Sequence, residues 1–410
     1  MIKRIAVKDL KLGMFVQELH GSWIKHPFWK TKFLLEAPGD LALLQTCGIG
    51  EISIDLSRSV GIKRSVPTPL LAQPAISEEK DLPPIPDDSD HTHVKKVKVS
   101  FNQEIDRARD LCNRSKLAVI DMFREARMGQ SVSMETANEV IDQIAASVDR
   151  HPQALITLAR LKTSDDYTYM HSVAVCAMMV ALARELGLKP SDVRKAGMAG
   201  LLHDVGKMAV PDGILNKPGS LTDSEFTVVK SHPVKGAEIL AMAGDVSAEI
   251  IDVCLHHHEK YDGSGYPHKL KGEQITSLAR MGAICDVYDA ITSNRPYKKG
   301  WGPAESLQRM AKWEGHFDPI FFQAFIKAIG LYPTGSLVRL SSQRLAVVID
   351  QNEGNMLKPK VKVFFSLKSM LQVQHSVIDL SAANNIDSIE ARESHEKWKF
   401  PYLDELWQTE

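Results

Sequence analysis

No charge of one sign dominates this chain: 50 lysines and arginines stand against 51 aspartates and glutamates in 410 residues. That balance gives no support for a nucleic-acid polymer or an anionic membrane as partner, although it leaves room for a local basic pocket. Cysteine is scarce. The five residues, Cys47, Cys112, Cys176, Cys254 and Cys285, are scattered singly with no CxxC pair, which excludes a disulfide framework or a cysteine zinc motif and predicts reduced, mostly buried thiols. Long apolar runs are missing as well. The longest, Val173 to Ala183, falls far short of the roughly 20 residues needed to span a bilayer. Met1 to Phe15 alternates charged and apolar side chains without the apolar heart of a signal peptide, so the reading is a cytoplasmic protein. Internal repeats and low-complexity tracts are also lacking.

What remains is an ordinary globular composition, 44% hydrophobic and 25% charged. The length exceeds one usual domain and predicts two or three modules. Residues 1–64 read as a small α+β module: Leu41 to Thr46 suggests a helix closed by Gly48, and Ile52, Ile54 and Leu56 alternate as in a strand. Six prolines between Ser65 and Lys95 make 65–99 an extended linker. Ser100 and Gln103 form a capping-box pattern, after which Ile105, Ala108, Cys112, Val119 and Phe123 give a helical apolar stripe. That segment, 100–134, reads as a connecting helix, with a dimerisation helix as an open alternative.

Helical patterns dominate 135–335, with Ala137, Val140, Ile141, Ile144 and Val148 as one stripe and Ile275 to Thr292 as another. From Ser336 onward, apolar β-branched runs at Ser336–Leu340, Ala346–Asp350 and Val361–Phe365 predict a C-terminal β appendage and tail over 336–410. The fold class is therefore mainly α, with small sheet-containing pieces at both ends.

The helical region holds a concentrated set of ligand-type side chains: His171, the adjacent His203 and Asp204, His232, the pair His257 and His258, and Asp286. A single histidine would carry little weight. Imidazoles and carboxylates together suit iron, manganese, nickel, cobalt or zinc. The order of these residues, with Leu202-His203-Asp204-Val205-Gly206-Lys207, the run from His257 to Pro267, Asp286-Val287-Tyr288-Asp289 and Arg295-Pro296-Tyr297-Lys298, closely resembles the HD-GYP family of metal-dependent phosphohydrolases. The similarity covers about half of the chain. Residues 1–64 resemble, more weakly, a domain of uncertain role that often precedes HD-GYP domains.

The resemblance implies an HD-type helical bundle, an activity and a set of roles. His171, His203, Asp204, His232, His257, His258 and Asp286 match metal positions, and Asp204 is the expected bridge because a carboxylate has two oxygens to offer two cations. Two divalent transition-metal ions are implied, with iron or manganese favoured. Tyr167 stands where some relatives place a Glu for a third ion, and Asp165 and Asp166 are out of register, which argues for two. A metal-bridging hydroxide would attack phosphorus, with Asp204 and Lys207 serving the reaction and Asp289 supporting a ligand. Gly265, Tyr266, Arg295 and Lys298 would hold the substrate. The intact Gly265-Tyr266-Pro267 sequence makes that substrate cyclic di-GMP, cut to pGpG, GMP or both. Alternatives are another cyclic dinucleotide, a guanosine polyphosphate, or a slow cyclic di-GMP-binding module that engages GGDEF-domain proteins. A homodimer is compatible with the sequence. His256 reads as a bystander, and His91 and His93 as linker residues.

Overall fold

The computed structural model describes residues 2–20, 33–35, 41, 44–45, 51–59, 99–162, 167–217, 219–294, 300–352 and 354–408. The expected linker lies, but for residue 99, outside the described residues, as do Cys47, His91, His93, Asp165, Asp166, Arg295 and Lys298. The chain divides into two units, Met1–Lys96 and Val97–Glu410.

Among the described residues, the first unit has four antiparallel strands, β1 (Ile2–Ala6), β2 (Phe15–His20), β3 (Phe33–Leu34) and β4 (Glu51–Asp55), in the order β1-β4-β2-β3. Val7, Leu10, Val16, Leu35, Leu44, Ile52 and Ile54 form its core. The period-2 placement of Ile52 and Ile54 puts both on the covered face.

In the second unit, α1 (Phe101–Arg127) begins with a reciprocal cap. The Gln103 N–H donates to the Ser100 hydroxyl at 3.3 Å, and the Ser100 N–H donates to the Gln103 carboxamide at 3.0 Å. Then follow α2 (Met134–Arg150), α3 (Pro152–Arg160), α4 (Tyr167–Glu185), α5 (Pro190–Leu202), α6 (His232–Ala243), α7 (Ala248–His256), α8 (Ser277–Thr292), α9 (Pro303–Met310) and α10 (Pro319–Ile329). Every residue of α4 from Met170 to Ala183 is buried, the mark of a helix apolar on all sides and surrounded by others. It packs against α1, α2, α3, α5, α8 and α10. Full burial of side chains such as Val180 and Leu182 stabilises the bundle by roughly 1.5–3 kcal/mol each; a charge at Val180 would break this packing.

After the bundle comes a five-stranded antiparallel sheet, β5 (Leu337–Leu340), β6 (Arg344–Asp350), β7 (Lys360–Ser366), β8 (Leu371–Asp379) and β9 (Ile389–Arg392), ordered β8-β7-β6-β5-β9 and followed by two short helices, His395–Trp398 and Leu403–Leu406. Val338, Leu340, Ala346, Val348, Val361 and Val363 cluster with Tyr332 and with Ala304 of α9, which ties sheet to bundle. The apolar runs of β5 to β7 were visible in the sequence. The edge strand β8 is exposed along most of its length, so it has no apolar run to announce it.

Candidate metal centre

Helix ends and one turn deliver the ligand-type residues to a common interior point. His171 lies in the first turns of α4, His203 caps the C-terminus of α5, and Asp204 precedes a 3-10 turn over Val205–Ala209. His232 opens α6, His257 and His258 follow α7, and Asp286 sits mid-way along α8. Close approach of the 3-10 turn to α6 requires Gly206: a Cβ there would come within 1.9 Å of the His232 carbonyl oxygen and 2.4 Å of the Gly236 nitrogen. His171, His203, Asp204, His232, His257 and Asp286 are all buried. Three sets, His171/His203/Asp286, His203/Asp204/His257 and His232/His257/His258, each have ligand-type atoms within 4.8 Å of one another.

The hydrogen bonds decide what these atoms can do. His203 donates through Nδ1 to the Gly200 carbonyl at 2.8 Å, His232 to Val229 at 2.7 Å, and His257 to Cys254 at 2.9 Å. Each donation leaves Nε2 as the lone-pair nitrogen of the neutral ring. Those nitrogens turn toward other acceptors: His232 Nε2 lies 3.3 Å from His257 Nε2, and His203 Nε2 lies 3.3 Å from His171 Nε2. His171 in turn gives its Nδ1 hydrogen to Asp289 at 2.6 Å, while Asp286 lies 3.0 Å from its Nε2.

Asp204 stands between two imidazole pairs. Its Oδ2 lies 3.4 Å from both His171 and His203, and its Oδ1 lies 3.2 Å from His232 and 3.8 Å from His257. Although Oδ1 is fully buried, it receives no well-aligned hydrogen bond, which is costly for a carboxylate unless a cation answers it. Burial resists ionisation of Asp204, but Lys207, His203 and His232 outweigh it and hold the group well below the carboxylate range. Asp286 is depressed likewise, with burial overcome by His171 and His258. Burial and the neighbouring His232 push His258 down to about 3, and burial with His258 and His203 lowers His257 strongly. Both rings therefore keep their lone pairs at neutral pH. Burial would also lower His171, yet its bonds to Asp286 and Asp289 raise it. Convergent neutral imidazoles, ionised carboxylates and an unanswered buried oxygen fit divalent cations.

Around this centre, Lys207 belongs to the 3-10 turn rather than to a continuing α-helix, and its ammonium pairs with Asp204 Oδ2. Asp286 and Asp289, one helical turn apart on α8, address opposite nitrogens of the His171 ring. Tyr167 stacks on His171 at 6.0 Å between ring centroids. Tyr266 stacks on His258 at 4.7 Å, and its loop folds back so tightly that a Cβ on Gly265 would fall 2.3 Å from the Lys260 nitrogen. His256 faces away from the cluster, bonded to Asp252 at 2.7 Å and His268 at 2.9 Å.

Two further residues, unmarked in the sequence reading, support the arrangement. Lys162 is buried and donates to Asp289 Oδ2 at 2.5 Å; nothing local in the sequence links residues 127 positions apart. Glu259 is buried and accepts from the backbone N–H groups of His268 at 2.6 Å and Leu270 at 3.1 Å. Its place inside the His257–Pro267 run was the available signal.

Comparison with known proteins agrees with this geometry. A family model described as HD domain matches residues 139–320, and one described as a domain of unknown function (DUF3391) matches residues 2–137, extending through α1. The cyclic di-GMP phosphodiesterase PA4108 of Pseudomonas aeruginosa is 53% identical over 414 residues, covering 99% of this chain and 96% of the relative. The cyclic di-GMP phosphodiesterase response regulator RpfG of Xanthomonas campestris is 36% identical over 219 residues, 49% of this chain and 57% of the relative. A cyclic di-GMP phosphodiesterase of Vibrio cholerae is 38% identical over 216 residues, 48% of this chain and 44% of the relative. The chain thus spans about half the length of the latter two. Helical fold and His/Asp centre together define the HD-domain class, which binds divalent metal. Within that class, the chain belongs to the HD-GYP family.

No helix among the described residues is long and apolar enough to cross a membrane.

Proposed function

We propose that the chain is a metal-dependent phosphodiesterase that hydrolyses cyclic di-GMP. The observation that carries this reading is the division of Asp204, whose two buried oxygens face two separate imidazole pairs. His171, His203, Asp204 and Asp286 would hold one cation, and Asp204, His232, His257 and His258 a second, with Asp204 shared. When bound, such cations supply Lewis acidity that lowers the pKa of water and offsets phosphoryl charge. Near-full-length identity of 53% to a cyclic di-GMP phosphodiesterase supports the substrate.

The chain's own groups then have distinct tasks. Asp289 fixes the His171 ring by accepting its Nδ1 hydrogen, which keeps Nε2 turned inward. Lys207, its ammonium beside Asp204, would donate to a phosphoryl oxygen and stabilise charge gained in the transition state. Gly265 and Tyr266 would seat the dinucleotide beside His258, and Arg295 and Lys298 would bind phosphate or guanine edges. GGDEF-domain proteins and a second copy of the chain remain the partners to assay. The cytoplasm is the proposed compartment, supported by the four described cysteines, all free and buried.

Protein prepared anaerobically and analysed for metal should carry two ions per chain, iron or manganese. It should convert cyclic di-GMP to pGpG, GMP or both by chromatography. Three ions per chain would overturn the binuclear reading, and preferential cleavage of cyclic GMP-AMP or a guanosine polyphosphate would overturn the substrate.

A further inference from the structure

A strip of charge and aromatic surface leaves the metal centre where the phosphodiesterase reading requires further contacts. Cyclic di-GMP carries two phosphates and two purines, so a phosphate held at the ligand cluster leaves a second phosphate and the purines in need of other partners. From His258 the strip continues to the stacked Tyr266 ring, then to the Lys230 ammonium, 5.3 Å from the Tyr266 centroid, and on to Phe226, 4.6 Å from that same ammonium. Lys230 is exposed, two residues before His232. Phe226 is 46% exposed, a large uncovered aromatic side chain.

The segment presenting this ring is not held by apolar packing. Residues Asp223–Val229 form a short helix with no buried residue. Polar bonds fix it instead: Thr222 and Glu225 cap each other, and Lys217 donates to both Glu225 oxygens at 2.8 and 2.7 Å. An exposed phenyl ring on a helix anchored by polar contacts, with an ammonium between it and Tyr266, has the composition of a site for a nucleotide. Bases stack on aromatic faces, and phosphates pair with lysine.

We infer that Lys230 and Phe226 form a distal subsite of the same active centre, which binds the second phosphate and a purine of the dinucleotide while the first phosphate lies at the metal cluster. This inference rests on the proposed phosphodiesterase activity. It makes the two residues determinants of specificity for dinucleotides over small phosphodiesters, which are too short to reach them.

The test measures kcat and KM of metal-loaded wild type, Phe226→Ala and Lys230→Met on cyclic di-GMP and on bis(p-nitrophenyl) phosphate. A Met242→Ser variant, altered at a residue 78% exposed, serves as a surface control. Each subsite variant should raise KM for cyclic di-GMP by about tenfold, the scale of one lost stacking or phosphate contact, with kcat little affected. The ratio of kcat/KM between the two substrates should fall by the same factor. Parallel losses on both substrates, or a loss confined to kcat, would assign the residues a structural role and overturn the subsite. Wild-type kinetics in both variants on cyclic di-GMP would overturn it too while leaving the proposed function intact. A wild type that cleaves the small diester but neither cleaves nor binds cyclic di-GMP would overturn the functional reading and the subsite together.

Discussion

Two of the buried polar clusters among the described residues, one around Glu104 and one at the His/Asp centre, differ in how their charges are answered. Glu104 on α1 is fully buried, yet it accepts from Arg150 Nε and Nη2, each at 2.7 Å, and from the Ser147 hydroxyl at 2.9 Å. Every strong acceptor there has a donor, so the cluster is complete without help and serves to lock α1 onto α2. At the His/Asp centre the count fails. The lone-pair nitrogens of His232 and His257 face one another at 3.3 Å, and Asp204 Oδ1 has no well-aligned donor. The first pattern is structural and the second asks for a cation, although both are built from ordinary side chains.

Breaking the incomplete cluster should have the larger consequence for activity. Asp204→Ala removes the group shared by both imidazole pairs, so metal analysis should find the centre empty and chromatography should find no cyclic di-GMP hydrolysis. Full occupancy with normal turnover would sink the shared-ligand assignment. Next in size is Lys207→Ala. It should retain metal and lower kcat by about two to three powers of ten, as expected for one charge-stabilising donor; an effect on KM alone would contradict that role.

The complete cluster should respond in the opposite way. Glu104→Ala leaves the Arg150 guanidinium, about one-third exposed, without its buried partner. The expected cost is about 3 kcal/mol, the low end for a broken buried pair because Arg150 can turn to water. Urea unfolding of the metal-loaded protein measures it. Metal content and kcat should hold at temperatures where the variant is folded. If metal affinity fell with stability, the two clusters would be coupled and the distinction between them would be lost.

The comparison also explains what could be read from the sequence. Residues adjacent or one turn apart were legible: His203 with Asp204, His257 with His258, and Asp286 with Asp289 all stand in recognisable local runs. So was the Ser100–Gln103 cap, because its partners are three residues apart. The Lys162–Asp289 pair was not, since only folding joins positions so distant and a lone lysine in sequence gives no sign of burial. The 3-10 turn after His203, which lets Gly206 approach α6, had no signal in the sequence either. Strand β8 escaped notice because an exposed edge needs no apolar run, and β9 because four residues, none of them fully buried, are too short a stretch to stand out. Arg295 and Lys298 lie outside the described residues, so the reading of their role rests on the motif alone.

The smallest expected effect is at His256, and it tests the register of the whole histidine run. Three consecutive imidazoles offer two ways of choosing an adjacent pair, and substitution of the wrong one should do little. His257 directs Nε2 into the centre, 3.3 Å from His232, so His257→Ala should strip metal and activity together. His256 instead spends both ring nitrogens elsewhere, on Asp252 and on His268. Its removal costs hydrogen bonds outside the metal cluster, each worth about 0.5–1.5 kcal/mol. Because His268 follows Tyr266 and Pro267, some of that cost can reach the loop beside His258. His256→Ala should therefore keep wild-type metal content and lose no more than about tenfold in kcat/KM for cyclic di-GMP. Metal analysis of His256→Ala beside His258→Ala decides the matter: loss of metal from His256→Ala with retention in His258→Ala would shift the register by one residue and dismantle the proposed ligand set.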